Sequence, residues 1–274
     1  MSTWVRFEHA GNIGFGALRT DTIHVHHGCL FDAPADTGER LARDSVTLLT
    51  PCEPTRMLAL WNNFYERARK EGLTRPQHPL YFVKVDSCFA GPAEPIRQPL
   101  NYDGPVVFEG ELGIVIGQAC HNVAREEIDD YIFGYTCVND VTARDIMKAD
   151  PSFVQWTRAK GFDSFGVFGP AIVTDIEPDE LVVETRVNGE VKQHYPVSDM
   201  FYRPRDIVYH LARDMTLKPG DVIACGTSLG TEPMPPGCEV EIIIEGVGTL
   251  SNPFLSPAPT TLQASPHGEP ALPA

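Results

Sequence analysis

Two glutamates and an aspartate carry the strongest chemical signal in this sequence. Glu109 and Glu111 fall in Val107-Phe108-Glu109-Gly110-Glu111-Leu112-Gly113-Ile114-Val115-Ile116, and Asp140 follows in Asn139-Asp140-Val141-Thr142-Ala143-Arg144-Asp145. Side chains alternate along a strand, so Glu109 and Glu111 share one face while Phe108, Leu112, Ile114 and Ile116 share the other. Two like charges about 7 Å apart repel, and burying either alone costs several kcal/mol. One resolution is a half-exposed strand whose glutamates face water; the other is a bound divalent cation. Asp140 favours the cation, because it leaves the strand-like run Tyr135-Thr136-Cys137-Val138-Asn139 and is expensive there unless bonded. Three carboxylates without His or Cys suit a hard ion, Mg²⁺, Mn²⁺ or Ca²⁺, rather than zinc. They leave about half of an octahedral shell for water and substrate.

Basic and hydroxyl groups nearby in sequence are less decided. Lys160 reads as a surface lysine beside Arg158, or as an ammonium brought to the metal site by Trp156 and Gly161-Phe162-Asp163. Arg144 pairs structurally with Asp145 or Asp140, or binds a substrate carboxylate. Gly226 and Thr227 follow an apolar strand end, and Lys84 closes Tyr81-Phe82-Val83-Lys84, where a plain strand-end charge is an equal reading. His24 and His26 share a strand face, but without a neighbouring Cys or carboxylate motif they read as exposed histidines. Gly11-Asn12-Ile13-Gly14-Phe15-Gly16 lacks the order and following helix of a nucleotide loop.

The elements that must hold these groups are mostly short strands. Trp4–Phe7, Ile13–Leu18 and Thr22–His26 suggest a small β-rich N-terminal unit, residues 1–55. A larger body, 56–255, opens with a buried strand at Met57–Trp61 and a helix over Asn62–Glu71 capped by Gly72. Strands are expected at Leu80–Lys84, Val107–Gly117, Ala171–Val173, Val222–Cys225, Glu239–Glu245 and Val247–Leu250. Leu181–Val187 and Glu190–Tyr195 flank an Asn188-Gly189 hairpin turn. Arg205–Met215 is helical in pattern, with Pro204 near its first turn. The tail, 256–274, has little to bury and is expected to be disordered. The fold class expected is mostly β, with few helices.

Several of these motifs together resemble the fumarylacetoacetate hydrolase family. The resemblance rests on Phe108–Gly117, Gly134–Asp145 and Gln155–Asp163. It extends through Asn188-Gly189-Glu190, Pro219–Ile223, Cys225-Gly226-Thr227 and Gly246–Leu250, in the family's order over residues 56–252. It implies a mixed β-sandwich roll, usually a homodimer, with a divalent metal on Glu109, Glu111 and Asp140. It also implies a catalytic Lys160 that stabilises negative charge, Arg144 in support, and a substrate bordered by Gly226, Thr227 and Lys84. The implied substrates are small anionic 2-oxo or 2,4-dioxo acids. Hydrolysis of a C–C bond in an acylpyruvate-type compound leads, with isomerisation, decarboxylation or lyase chemistry on the same scaffold as alternatives, and non-catalytic binding as a remote one.

Two departures narrow this. Many relatives carry a His and, three residues later, a Glu in the helix after the first buried strand, a pair that activates water. Here those positions fall at about Arg67 and Lys70. Arginine stays protonated, and lysine needs strong desolvation before it acts as a base. Glu66 or Glu71 could substitute from a neighbouring turn. Met147 stands where a substrate-contacting Gln often follows the Thr-Ala-Arg-Asp run.

Bulk properties set the frame. A net charge of −15 and a pI near 4.9 argue against nucleic acid or an anionic membrane as partner. The 42% hydrophobic and 22% charged content are those of an ordinary globular protein, and no apolar run reaches membrane-spanning length. Seven cysteines without a Cys-x-x-Cys pair, and an N-terminus without a signal pattern, suggest reduced thiols and a cytoplasmic setting.

Overall fold

The computed structural model describes residues 1–256; apart from Ser256, the expected disordered tail lies outside the described residues. The N-terminal strands are β1 (Thr3–His9), β2 (Asn12–Arg19), β3 (Thr22–Cys29) and β4 (Asp32–Ala42), with β5 (Thr47–Leu48) against β1. There follow β6 (Met57–Trp61), helix α1 (Tyr65–Glu71), β7 (Leu80–Lys84), and the short β8 (Phe89–Ala90), β9 (Ile96–Arg97) and β10 (Val106–Val107). The central pair is β11 (Gly110–Ile116) and β12 (Ile132–Asp140). After β13 (Thr142–Ala143) come two short helices, α2 (Arg144–Met147) and α3 (Trp156–Lys160), then β14 (Gly166–Val173). The hairpin β15 (Val182–Val187) and β16 (Glu190–Pro196), helix α4 (Pro204–Asp214), β17 (Val222–Ala224), β18 (Glu239–Ile244) and β19 (Gly248–Leu255) follow.

The expected mostly β class is what forms. The large mixed sheet runs β4-β3-β2-β1-β14-β12-β11-β17-β6-β7, and a second sheet runs β16-β15-β18-β19-β9. The N-terminal strands are continuous with the large sheet, because Thr3 and Trp4 of β1 pair with Val173 and Ile172 of β14. Leu112, Ile114 and Ile116 on one face of β11 pack against Val183, Val240, Ile242, Ile244 and Leu250 of the second sheet. Val115, on the face shared with Glu111, joins Met57, Ala59, Phe82, Val138 and Phe168. β11 is therefore buried on both faces, and each fully buried large aliphatic side chain contributes roughly 1.5–3 kcal/mol.

The expected strand 107–117 is interrupted. Val106 and Val107 pair with Ala143 and Thr142, whereas β11 pairs with β12, so the chain changes partner at Phe108-Glu109. There the Asn139 side-chain Oδ1 accepts the Glu109 N–H at 3.0 Å, replacing a ladder bond. The helix after β6 starts three residues later than expected, and its C-terminus holds as read, with Gly72 at φ 69°. β4 carries Pro34 and Gly38 and is almost wholly exposed, so it left no alternating pattern to read. β14 starts at Gly166 rather than Ala171, its first half masked by Gly166, Gly169 and Pro170. The Asn188-Gly189 turn has φ of 51° and 80°, as that hairpin requires.

Candidate metal centre and active site

Register brings the three carboxylates together. Gly110 pairs with Asn139 and Glu111 with Val138, and the Asp140 N–H donates to the Glu109 carbonyl at 2.9 Å. Glu109 is thus opposite Asp140, with Glu111 two residues along on the same face. Ligand oxygens of all three lie within 4.8 Å of one another. Gly110 between the glutamates is required by space, since a Cβ there would fall 2.1 Å from Thr185 Oγ1.

Two buried ammonium groups serve the same cluster. Lys160 Nζ donates to Asp140 Oδ2 at 2.5 Å and Glu109 Oε2 at 2.9 Å, and lies 5.1 Å from the centre of the Phe82 ring. Lys84 Nζ donates to Asp140 Oδ1 at 2.6 Å and to the Lys160 carbonyl at 2.7 Å. Gly226, at φ 91°, turns its N–H onto Glu111 Oε2 at 2.7 Å. Burial works to raise the Asp140 pKa, but Lys160 and Lys84 outweigh it and hold the carboxyl below its ordinary value. Burial works against the Lys160 charge, yet Asp140 and Glu109 outweigh it and hold its pKa up. Glu111 goes the other way: burial, then the charges of Asp140 and Glu109, push it well above the usual carboxylate range.

These residues fit a divalent cation. Glu111 is completely buried, and its Oε1 has no hydrogen-bond partner among the described residues. A carboxylate oxygen so placed is unfavourable by about 1–3 kcal/mol or more, and a cation among the three acids would satisfy it. Each carboxylate keeps lone pairs beyond those used by the lysines and Gly226. Three carboxylates against two ammonium groups leave one negative charge, so a divalent ion would turn the centre to +1. That charge suits an anionic ligand.

The centre opens outward in two stages. A small cavity of about 20 Å³ is lined by Glu109, Lys160, Thr227, Asn62, Arg67, Met147 and the aromatic rings of Trp61, Phe82 and Trp156. A cleft of about 1410 Å³ shares Trp61, Arg67, Phe82, Met147 and Trp156, and adds Glu71, Tyr81, Arg144, Asp145 and Lys148. Phe82 and Trp156 stack at 5.0 Å, nearly parallel, and form one apolar wall.

The sequence-predicted residues therefore divide by depth. Glu109, Glu111, Asp140 and Lys160 converge, and Thr227 borders the small cavity. Arg144 lines only the outer cleft, where its Nη2 donates to the Thr231 carbonyl at 3.1 Å rather than to Asp140 or Asp145. Lys84, expected to touch substrate, lines neither cavity; both of its hydrogen bonds hold Asp140 and the end of α3 from behind. Gly226 also lines neither, its N–H being engaged by Glu111. His24 sits on β3 in the N-terminal strands, with Asp36 3.8 Å away, apart from the centre.

Gln193 escaped the sequence reading. Its Oε1 accepts from the Gly110 N–H at 3.1 Å and Thr185 Oγ1 at 2.9 Å, while Nε2 donates to Thr227 Oγ1 at 2.9 Å and the Leu229 carbonyl at 3.1 Å. One buried amide thereby ties the ligand strand to the loop that borders the cavity. Its only signal was period-two alternation with the buried Tyr195 in an otherwise exposed hairpin strand. Asn63 was likewise missed as a brace: its Nδ2 donates to the Tyr202 and Cys225 carbonyls, just before Gly226.

Arg67 stands at about the position where the family resemblance implies a water-activating histidine. Its Nε donates to Glu71 Oε1 at 2.9 Å, and Nη1 reaches the Thr227 carbonyl at 3.4 Å. Burial works against its charge, but Glu109 and then Glu71 outweigh it and hold its pKa above the ordinary value. It is a fixed cation.

Comparison with known proteins agrees with this architecture. Residues 56–255 match the family model described as fumarylacetoacetate (FAA) hydrolase C-terminal, and residues 3–51 match Rv2993c-like, N-terminal. The chain is 43% identical over 228 residues to Protein Rv2993c of Mycobacterium tuberculosis, covering 82% of this chain and 84% of that protein. It is 34% identical over 214 residues to the oxaloacetate tautomerase YisK of Bacillus subtilis, covering 74% of this chain and 70% of that one. The crystal structure of 2-hydroxyhepta-2,4-diene-1,7-dioate isomerase from Mycobacterium marinum superposes with a TM-score of 0.86 at 38% identity, over 93% of this chain and 99% of that one. On its fold and these matches, the chain belongs to the fumarylacetoacetate hydrolase family.

Proposed function

We propose that the protein is a divalent-metal-dependent enzyme that interconverts keto and enol forms of small 2-oxo acids, an isomerase or tautomerase rather than a hydrolase. The observation that carries this reading is Arg67. Hydrolysis needs a base that activates water above the acidic centre, and the residue there is a guanidinium held protonated by Glu109 and Glu71. Relatives that include an oxaloacetate tautomerase and a dienedioate isomerase support the same class.

Glu109, Glu111 and Asp140 would hold Mg²⁺ or Mn²⁺, which when bound polarises the 2-oxo group and its neighbouring carboxylate. The chain's own groups bind the substrate and neutralise its developing charge. Lys160 keeps an ammonium against the reacting oxygen and neutralises the charge that develops there, a contribution of several kcal/mol in such sites. Thr227, positioned by Gln193, borders the substrate. Phe82 and Trp156 set a stacked apolar wall beside the reacting face.

Hydrolysis remains the second reading because Glu71, a carboxylate, lines the outer cleft beside Arg67. The test supplies purified protein and Mg²⁺ or Mn²⁺ with enol oxaloacetate, an acylpyruvate and keto oxaloacetate. Metal-dependent loss of enol absorbance, without cleavage, is the expected result. Faster release of pyruvate from the acylpyruvate would replace this reading with hydrolysis, and carbon dioxide from oxaloacetate would replace it with decarboxylation.

A further inference from the structure

We infer that Arg67 is the specificity residue of this site and binds the distal carboxylate of a short 2-oxo dicarboxylate. The inference rests on the tautomerase reading and adds to it the substrate class and the group that selects it. Arg67 is the only cation among the described residues that lines both the small cavity at the acidic centre and the outer cleft. Lys160 lines only the small cavity, and Arg144 and Lys148 only the cleft. The guanidinium therefore stands at the junction, one step outward from the position of the reacting group.

Its hydrogen bonding leaves room for an anion. Nε is engaged by Glu71 and Nη1 reaches the Thr227 carbonyl at the long distance of 3.4 Å, while Nη2 has no partner among the described residues. The side chain is 22% exposed, and its one ion-pair partner, Glu71, is 41% exposed. Glu109, a carboxylate to which Arg67 is not bonded, also attracts the guanidinium. A divalent ion at the acidic centre would reduce that attraction and leave the half-exposed Glu71 as the guanidinium's one counter-charge.

The ligand's two ends then match two separate needs. The 2-oxo carboxylate head answers the centre's single excess positive charge, and a second carboxylate one or two carbons away answers Arg67 with a charge-assisted pair. Met147 and the Phe82–Trp156 wall, which line the small cavity together with Arg67, suit the intervening carbons. Arg144 lines only the outer cleft, where its Nη2 is engaged by the Thr231 carbonyl, and is the cation placed to meet longer acids.

Oxaloacetate and pyruvate differ by that distal carboxylate alone, which makes them the probes. Binding to the Mg²⁺-loaded protein is read from quenching of Trp61 and Trp156, which line the site and report occupancy without turnover. The wild type is expected to prefer oxaloacetate by about 10- to 100-fold, the usual range for a charged hydrogen bond. Arg67→Gln should collapse this ratio to within about threefold, Arg67→Lys should restore part of it, and Arg144→Gln should leave it standing. Loss of both acids in equal measure in Arg67→Gln, or collapse of the ratio in Arg144→Gln, overturns the assignment. Equal binding of both acids by the wild type also refutes it while leaving the tautomerase reading intact. Binding of neither by the wild type refutes that reading, and the assignment with it.

Discussion

Glu111→Gln should make the metal-free protein more stable and the metal-loaded protein less so, a crossing that a purely structural glutamate would not produce. Glu111 is fully buried, one oxygen bonded to the Gly226 N–H and the other without a partner. Without metal its charge is opposed first by burial and then by Asp140 and Glu109, so its pKa lies well above that of the unfolded chain. A carboxyl with a raised folded pKa contributes most below its unfolded value, and loses that contribution as pH rises toward the folded one. Above about pH 4.5 the wild type should therefore fall progressively behind the variant in EDTA. An amide keeps an acceptor for Gly226, carries no charge, and can turn its NH₂ toward Glu109 or Asp140. Relief of one unsatisfied buried acceptor is worth about 2 kcal/mol, or roughly 4–8 °C in Tm for a domain of this size. At a hundredfold excess of Mg²⁺ or Mn²⁺ over Kd the wild type gains about 2.7 kcal/mol, which the variant cannot match with two charged ligands. Thermal unfolding in EDTA and in metal at pH 7.5, with calorimetric metal titration, reads both limbs. A variant that is less stable than wild type in EDTA, or that keeps wild-type metal affinity, refutes the argument.

The remaining predictions concern the groups that position the centre. Gln193→Leu leaves the Gly110 N–H and the Thr185 and Thr227 hydroxyls without their partner, and should cost about 3 kcal/mol in urea unfolding, with weakened metal affinity in the same protein. Lys84→Met removes one of two cations from Asp140 and should cost about 3 kcal/mol at neutral pH. Because Asp140 has a lowered folded pKa, its stabilisation is present above the unfolded value and lost as pH falls through the folded one. The acid-unfolding midpoint of Lys84→Met, followed by circular dichroism, should accordingly move to higher pH. An unchanged midpoint would show that Lys160 alone holds Asp140.

The acidic cluster was legible because its signal is local and expensive to fake. Glu-x-Glu in an apolar run and an Asp at the end of another are choices that burial forbids unless something compensates. The hairpin at Asn188-Gly189 and the C-cap at Gly72 were legible for a similar reason, since few residues tolerate a positive φ. Gln193 was not legible, because its worth lies in four partners drawn from strands and loops far apart in sequence. Lys84 was visible as a residue but not as a role: whether an ammonium at a strand end faces a cleft or the back of Asp140 depends on where β7 docks. The break at Phe108-Glu109 was hidden because the change of partner from β13 to β12 is a matter of topology, not of composition.

Charge links the centre to the rest of the molecule. A chain of net charge −15 repels a small dianion at long range, so its capture must be arranged locally. At physiological ionic strength the screening length is roughly 8 Å, and most of the surface acidity is therefore weak at the cleft. Arg67, Arg144 and Lys148 line that cleft against Glu71 and Asp145, leaving one positive charge in excess. With a divalent ion the inner centre would also carry one positive charge in excess. An acid with a single carboxylate satisfies only one of these regions, whereas a dicarboxylate satisfies both at once. The same carboxylate frame would serve any 2-oxo acid, so discrimination among them falls to Arg67, the cleft cation that also lines the inner cavity.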